Sequence, residues 1–173
     1  MKRTYTRLAS ALFATGLLFA AGHASAGAVI YNTGDAMTAT VAMGINDEGH
    51  LNTSTGNIVA NSGATGLDAK FADGSWRDAT SPGCYCEGWG VSVNGTTSGY
   101  ANVSVDGVIN LSVDSFGSTA SSATSMVHLT SLPGLTVTHA YSPSDNAPGV
   151  LFKTVVTITN TTGATVNDLK YVR

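Results

Sequence analysis

Apolar side chains alternate with small or polar ones along several short segments of this chain. In residues 37–45 every odd position is apolar, and Val150, Phe152, Val156 and Ile158 share one parity further on. A period of two places successive side chains on opposite faces of a strand, so these segments predict strands with one buried face. Helical periodicity with capping residues is missing from every window of twelve residues. We therefore predict an all-β protein, an antiparallel β-sandwich of Ig-like or related type with eight or nine short strands.

The composition agrees with this fold class and excludes others. Only 11% of the residues are charged, while 43% are hydrophobic. Few charges argue against a coiled coil, and the hydrophobic fraction argues against a disordered chain. A protein without a basic face is not expected to bind nucleic acid.

The N-terminus predicts a secretory signal peptide over residues 1–26. Lys2, Arg3 and Arg7 precede an uncharged apolar run, and small residues end the segment with cleavage expected between Ala26 and Gly27. The apolar run spans about 14 residues, short of the ~20 that cross a bilayer. We expect a mature domain over residues 27–173, secreted or held at the cell surface, and no transmembrane span in this chain.

Two turns are predicted from local chemistry. Residues 105–107 predict a three-residue hairpin loop that pairs Val103 with Ile109 and Ala101 with Leu111. Residues 132–135, Leu-Pro-Gly-Leu, predict a type II turn. Around that turn, the apolar parity pairs odd residues with odd ones and places His128 and His139 on opposite faces.

Residues 78–91 form the least ordinary stretch, because they hold both cysteines of the chain. In an oxidising compartment Cys84 and Cys86 are expected to form a local disulfide. A strained redox-active bridge and a Cys-x-Cys metal site remain alternatives. The bridge would present Tyr85, Glu87 and Trp89. With Trp76, the rings of Tyr85 and Trp89 either form an aromatic sugar-binding platform or Trp89 simply packs into the sandwich.

The same stretch, Asp78-Ala-Thr-Ser-Pro-Gly-Cys-Tyr-Cys-Glu-Gly-Trp-Gly-Val91, resembles a segment of uncharacterised secreted bacterial proteins, several of which carry PEP-CTERM-type sorting tails. Residues 155–168, which include Asn160-Thr-Thr-Gly, resemble the turn of Ig-like bacterial surface stalk repeats. These resemblances imply a bacterial cell-surface setting and no known activity. No sorting tail follows, and the chain stops at Arg173 inside a predicted strand, so we expect the domain to be truncated at its C-terminal end.

Catalytic motifs are not recognisable in the sequence. It has no nucleophile elbow, no zinc-protease helix motif and no phosphate-binding loop. We predict no catalytic residues, no resident metal and no cofactor. His128 and His139 are interpreted as ordinary strand residues, with a paired-histidine metal site as the alternative, and residues 46–49 as a turn. A weak Ca²⁺ site at 46–49 or 144–146 stays an alternative, since hard cations bind such oxygens.

Two functions follow as hypotheses. The first is a non-enzymatic β-sandwich module of a bacterial envelope or extracellular matrix, with a structural or adhesive role. The second is a carbohydrate-binding module that uses Trp76, Tyr85 and Trp89. The expected partners are extracellular polysaccharides or other surface proteins.

Overall fold

The computed structural model describes residues 27–80, 87–102 and 107–173. These residues contain strands, turns and loops but no helix, and every sheet is antiparallel. The predicted all-β sandwich class is therefore confirmed. The predicted signal peptide, Cys84, Tyr85 and Cys86 lie outside the described residues.

The described residues form twelve strands. In chain order they are β1 (Ala28–Tyr31), β2 (Val41–Ile45), β3 (Leu67–Lys70), β4 (Trp76–Asp78), β5 (Trp89–Val93), β6 (Thr97–Ala101), β7 (Val108–Ile109), β8 (Leu111–Ser118), β9 (Ala123–Leu129), β10 (Leu132–Pro143), β11 (Phe152–Asn160) and β12 (Lys170–Val172). Sheet 1 has the order β1-β2-β3-β4, sheet 2 the order β12-β5-β6-β7, and sheet 3 the order β11-β10-β9-β8.

Sheet 3 has the longest strands, and one of its faces packs against both other sheets. Along β9 and β10 the buried residues are the odd-numbered ones. Val127, Leu129, Leu135 and Val137 meet side chains of sheet 2 in one core cluster. Further along the same face, Ala123 and Tyr141 meet Ile30, Met43 and Ile45 of sheet 1 in a second cluster. The boundary between the two clusters is called the seam below.

A sharp corner at Asn110 carries the chain from sheet 2 to sheet 3. Asn110 has a φ of 55°, a left-handed conformation that asparagine tolerates better than most residues. Its side-chain amide donates to Ser98 O at 2.7 Å and to Ser131 Oγ at 2.8 Å. Before the corner Val108 and Ile109 belong to β7, and after it β8 pairs with β9.

The corner overturns the predicted hairpin register. Ala101 pairs with Val108 and Tyr100 with Ile109, so the predicted pairing of Ala101 with Leu111 was wrong. Val103, the predicted partner of Ile109, lies outside the described residues. Leu111 instead lies opposite Leu129 in sheet 3. Hydrophobic parity could not reveal this, because burying Leu111 against another sheet satisfies it equally well.

The predicted type II turn at residues 132–135 was also wrong. Leu132 already pairs with Leu129, and the chain reverses at residues 130 and 131. Both turn residues are hydrogen-bonded to Asn110, whose Oδ1 accepts from Ser131 N at 2.9 Å and whose carbonyl accepts from Thr130 N at 3.1 Å. The predicted parity holds, since Val127 pairs with Val137.

Candidate functional site

His139 lies at the seam, in the middle of the buried face of sheet 3. It sits on β10 directly opposite Ser125 on β9, and both residues are fully buried. The imidazole packs against Trp89 with ring centroids 4.5 Å apart, and its Nε2 lies 3.0 Å from the Tyr171 hydroxyl. Burial first, and the Arg173 charge second, lower the pKa of His139 to about 3. The ring is therefore neutral at physiological pH and a weak base.

The loop of residues 46–51, which follows β2, is fastened to this point by its backbone carbonyls. Ser125 Oγ donates to Asp47 O at 2.5 Å, and Trp89 Nε1 donates to Glu48 O at 2.8 Å. The Tyr141 hydroxyl donates to Gly49 O at 2.5 Å. These donors come from sheets 2 and 3, while the loop continues sheet 1. The three bonds therefore join all three sheets.

Gly49 is required at its position in this loop. Its φ is 79°, and a Cβ there would lie 2.8 Å from His139 Nδ1. Only glycine combines this backbone conformation with such a close approach to a ring. The loop backbone therefore packs directly onto the imidazole.

An ion pair between Arg173 and Glu87 lies at one side of the seam. Arg173 Nε lies 2.9 Å from Glu87 Oε1, and Arg173 Nη1 donates to the Tyr141 hydroxyl at 2.9 Å and to Gly49 O at 3.2 Å. Glu87 Oε2 accepts from Leu51 N at 2.7 Å. Desolvation raises the pKa of Glu87, although Arg173 opposes the shift. Burial likewise raises the pKa of Tyr141 and of Tyr171.

These side chains, called the seam cluster below, stabilise the contacts between the three sheets. The cluster comprises the side chains of Glu87, Trp89, Ser125, His139, Tyr141, Tyr171 and Arg173. Nucleophilic catalysis by serine needs its hydroxyl to be hydrogen-bonded to a base. Here the Ser125 proton goes to a backbone carbonyl instead, and His139 Nδ1 receives no hydrogen bond.

The aromatic platform predicted from the sequence is not brought together by the described residues. Trp89 is 3% exposed and lies in the core between sheets 2 and 3, which matches the alternative that it packs into the sandwich. Trp76 is half-buried on β4, where it contacts Tyr31 and lies beneath Lys70 Nζ. Glu87 belongs to the seam cluster, and Tyr85 lies outside the described residues.

The three histidines among the described residues do not contact one another. His128 is on the outer face of sheet 3, where its Nδ1 lies 2.7 Å from Asp114 Oδ1, so the expectation that it faces away from His139 is confirmed. His50 is buried in the loop of residues 46–51, called the seam loop below, and its Nε2 lies 2.9 Å from Asn46 Nδ2. In residues 27–80, 87–102 and 107–173, no three His, Cys, Asp or Glu side chains are grouped as metal ligands.

Sequence reasoning missed most of the seam cluster. It did not single out Ser125, Tyr141, Tyr171 or Arg173. One signal was present, since residues 135, 137, 139 and 141 share the buried parity of β10. A histidine and a tyrosine on an apolar stripe indicate buried polar groups that need partners.

A surface groove of about 590 Å³ lies on the outer face of sheet 2. Two cross-strand rows line it: Val172, Gly90 and Tyr100 in one, and Lys170, Ser92 and Ser98 in the other. Gly90 leaves room between the valine and the tyrosine. The groove therefore combines an aromatic wall, an apolar wall, two hydroxyls and one cation.

No protein-family model, curated protein or solved structure matches this chain. No helix in the part of the chain that the structure describes is long and apolar enough to cross a membrane.

Proposed function

We propose that this chain is a non-catalytic β-sandwich module, secreted to a bacterial envelope or extracellular matrix, with a structural or adhesive role. One observation carries the proposal. In the seam cluster, the buried side chains that could perform acid–base or nucleophilic chemistry hydrogen-bond one another or the backbone, and so fasten three sheets together. The secreted bacterial setting is supported by the N-terminal signal pattern and by the resemblance of residues 78–91 to secreted bacterial proteins.

The groove on sheet 2 is the surface with which such a module would contact a neighbour. It lies on the face turned away from the core, so an occupant would leave the seam undisturbed. Its wall residue Tyr100 is half-buried and Ser98 is exposed. A partly exposed ring offers flat contact area at little conformational cost.

Deletion of residues 27–173 from the full gene in its host tests the proposal. We expect weaker surface attachment and a less cohesive extracellular matrix. Tyr100→Ala should reproduce the loss of attachment if the role is adhesive. Lys153→Ala, which alters a partly exposed residue of β11 that does not line the groove, is the control. Unchanged attachment and matrix properties after the deletion would contradict the proposal.

A carbohydrate-binding role is the second candidate, and the groove favours it more than the predicted platform does. Tyr100, Ser92 and Ser98 supply one ring and two hydroxyls along an open channel, a combination suited to an extended saccharide. Titration of the mature chain with a panel of soluble polysaccharides should change its tryptophan fluorescence, because Trp89 lies beneath the groove. Tyr100→Ala should abolish the change. A flat response across the panel would eliminate this candidate.

A further inference from the structure

A row of side chains crosses sheet 1 on the face turned away from its core cluster. Tyr31, Ala42, Asp68 and Asp78 are successive register partners across β1, β2, β3 and β4. The neighbouring row, which contains Met43, faces the core instead. Two carboxylates are therefore placed side by side on adjacent strands.

The segment of residues 51–66 covers this face. Thr53 pairs with Thr65, and a Cβ added to Gly44 would meet both threonines. Asp68, which this segment covers, is 0% exposed, and Asn52 of the segment itself is 2% exposed. The carboxylate of Asp68 is thus shielded from bulk water.

The buried carboxylate of Asp68 is poorly satisfied by hydrogen bonds, while the neighbouring oxygens of Asp78 and Asn52 accept some. Neither carboxylate oxygen of Asp68 receives a hydrogen bond of good geometry, and its polar neighbours are the Gly66 amide and the Asp78 carboxyl group. The Gly66 amide donates to Asp78 Oδ2 at 2.9 Å, and the Thr80 hydroxyl lies 2.8 Å from Asp78 Oδ1. That hydroxyl has one proton, which it shares between Asp78 Oδ1 and the more distant Asn52 Oδ1 at 3.4 Å.

The oxygens of three of these side chains converge around Gly66. The position that a Cβ would take on Gly66 lies 2.5 Å from Asn52 Oδ1 and 2.7 Å from Asp78 Oδ2, and is closer still to Thr80 Oγ1. A side chain at residue 66 would fill this space. The arrangement is a cradle of oxygen acceptors that only glycine leaves open.

We propose that Asp68, Asp78, Asn52 and Thr80 form a divalent-cation site, and that Ca²⁺ is the ion it fits best. Two ionised carboxylates side by side, one of them fully buried, repel each other, and a divalent cation would neutralise both charges. Ca²⁺ accepts carboxylate, amide and hydroxyl oxygens together in flexible geometry, whereas Mg²⁺ demands a near-ideal octahedron. Water would complete the shell. The site is independent of the proposed adhesive role and differs from the two loop positions considered from the sequence.

Thermal unfolding of the mature chain, freed of metal with EDTA and titrated with CaCl₂, tests the site. We expect the melting temperature to rise with Ca²⁺ and isothermal titration to give one ion per chain, in the range of about 10⁻⁴–10⁻³ M typical of extracellular modules. MgCl₂ should give a smaller rise. A melting temperature that does not respond to CaCl₂ would overturn the proposal.

Substitutions locate the effect. Asp68→Asn should lower Ca²⁺ affinity at least about tenfold, because a charged ligand is lost, while raising the melting temperature in EDTA. Asn52→Gly removes an amide ligand but keeps the left-handed backbone, whose φ is 71°, so it provides a second test if Asp68→Asn folds poorly. Asp73→Asn, an exposed acid in the turn after β3, is the matched control. Equal Ca²⁺ responses in Asp68→Asn, Asn52→Gly and the control would overturn the site.

Discussion

At the scale of single residues, two buried ionisable groups influence stability in opposite directions with pH. The pKa of His139 is lowered to about 3, so between about pH 3 and 6.5 the unfolded chain binds more protons than the folded one. His139 therefore reduces stability as the pH falls through that window. The pKa of Asp68 is raised to about 7 by desolvation and by the charge of Asp78, so between about pH 4 and 7 the folded chain binds more protons. Asp68 therefore reduces stability as the pH rises.

Removing either group should expose the influence of the other. In metal-free Asp68→Asn, stability should rise more steeply from pH 4 to 6.5 than in the parent, because the loss due to His139 is no longer offset. In His139→Phe, stability should fall more steeply from pH 4 to 7. Urea unfolding at a series of pH values in EDTA measures both slopes.

The groups that face each residue define the control for this experiment. Tyr31 and Asp78 face Asp68, whereas Arg173, Tyr171 and Tyr141 face His139. The exposed acid Asp73 faces neither, so Asp73→Asn should retain the parental profile. Parallel pH profiles for all the variants would contradict the assigned environments.

The hydrogen-bond partners of Glu87 and Trp89 could not be predicted from the sequence. Glu87 and Trp89 were singled out from the sequence as residues presented by a loop, yet both belong to the seam cluster. Their backbone partners are the Glu48 carbonyl and the Leu51 amide, which lie 41 and 36 positions earlier in the chain. Backbone groups leave no mark in residue type, so the sequence could not indicate which side chains they bind.

At the scale of strands, two glycines on neighbouring strands of sheet 2 should respond differently to alanine. Gly99 faces the core, where a Cβ would lie 2.5 Å from Leu129 Cδ2 and 2.8 Å from Leu111 Cδ2. Gly99→Ala should therefore cost about 1–3 kcal/mol of unfolding free energy through overpacking. At Gly90, the floor of the groove, the closest atom is Tyr100 Cβ at 3.4 Å. Gly90→Ala should be neutral or stabilising by up to about 1 kcal/mol. Urea unfolding of the two variants compares them directly, and equal costs would refute the assigned faces.

The corner at Asn110 gives a second prediction at this scale. Asn110→Gly keeps the left-handed backbone and loses the side-chain bonds to Ser98 and Ser131, so it should cost about 1–3 kcal/mol. Asn110→Ala loses the same bonds and adds backbone strain, so it should cost about 1 kcal/mol more. Chemical unfolding ranks the two variants. If alanine were tolerated as well as glycine, backbone strain at the corner would be excluded.

Strand existence and parity could be predicted from alternation, but strand partners could not. The alternation predicted strands over residues 37–45 and from residue 150 to 158, and the structure has β2 and β11 over the later part of each. Residues 36–38 form a turn instead of the start of a strand. The pairing of β7 and the turn at 130–131 depended on one left-handed asparagine that hydrogen-bonds to distant residues. Such bonds override the local Pro-Gly signal, because turn residues favour a turn only weakly and tertiary hydrogen bonds can place the turn elsewhere.

At the scale of the whole molecule, sheet 3 packs against both other sheets. Its single buried face supports two separate core clusters, and the seam cluster spans the gap between them. The sequence predicted a sandwich, and the sandwich is present. The division of one face between two partner sheets follows from the lengths of β9 and β10 and from the seam loop, neither of which alternation alone specifies.

The central claim is that the seam cluster makes the three sheets one cooperative unit. Native-state hydrogen exchange by NMR measures this most directly, by reporting the opening free energy of amides in β2, β5 and β9 within the same sample. We predict that the best-protected amides of all three strands share one opening free energy, equal to that of global unfolding. If amides of β2 opened at a distinctly lower free energy than those of β5 and β9, sheet 1 would be a separate unit and the claim would fail.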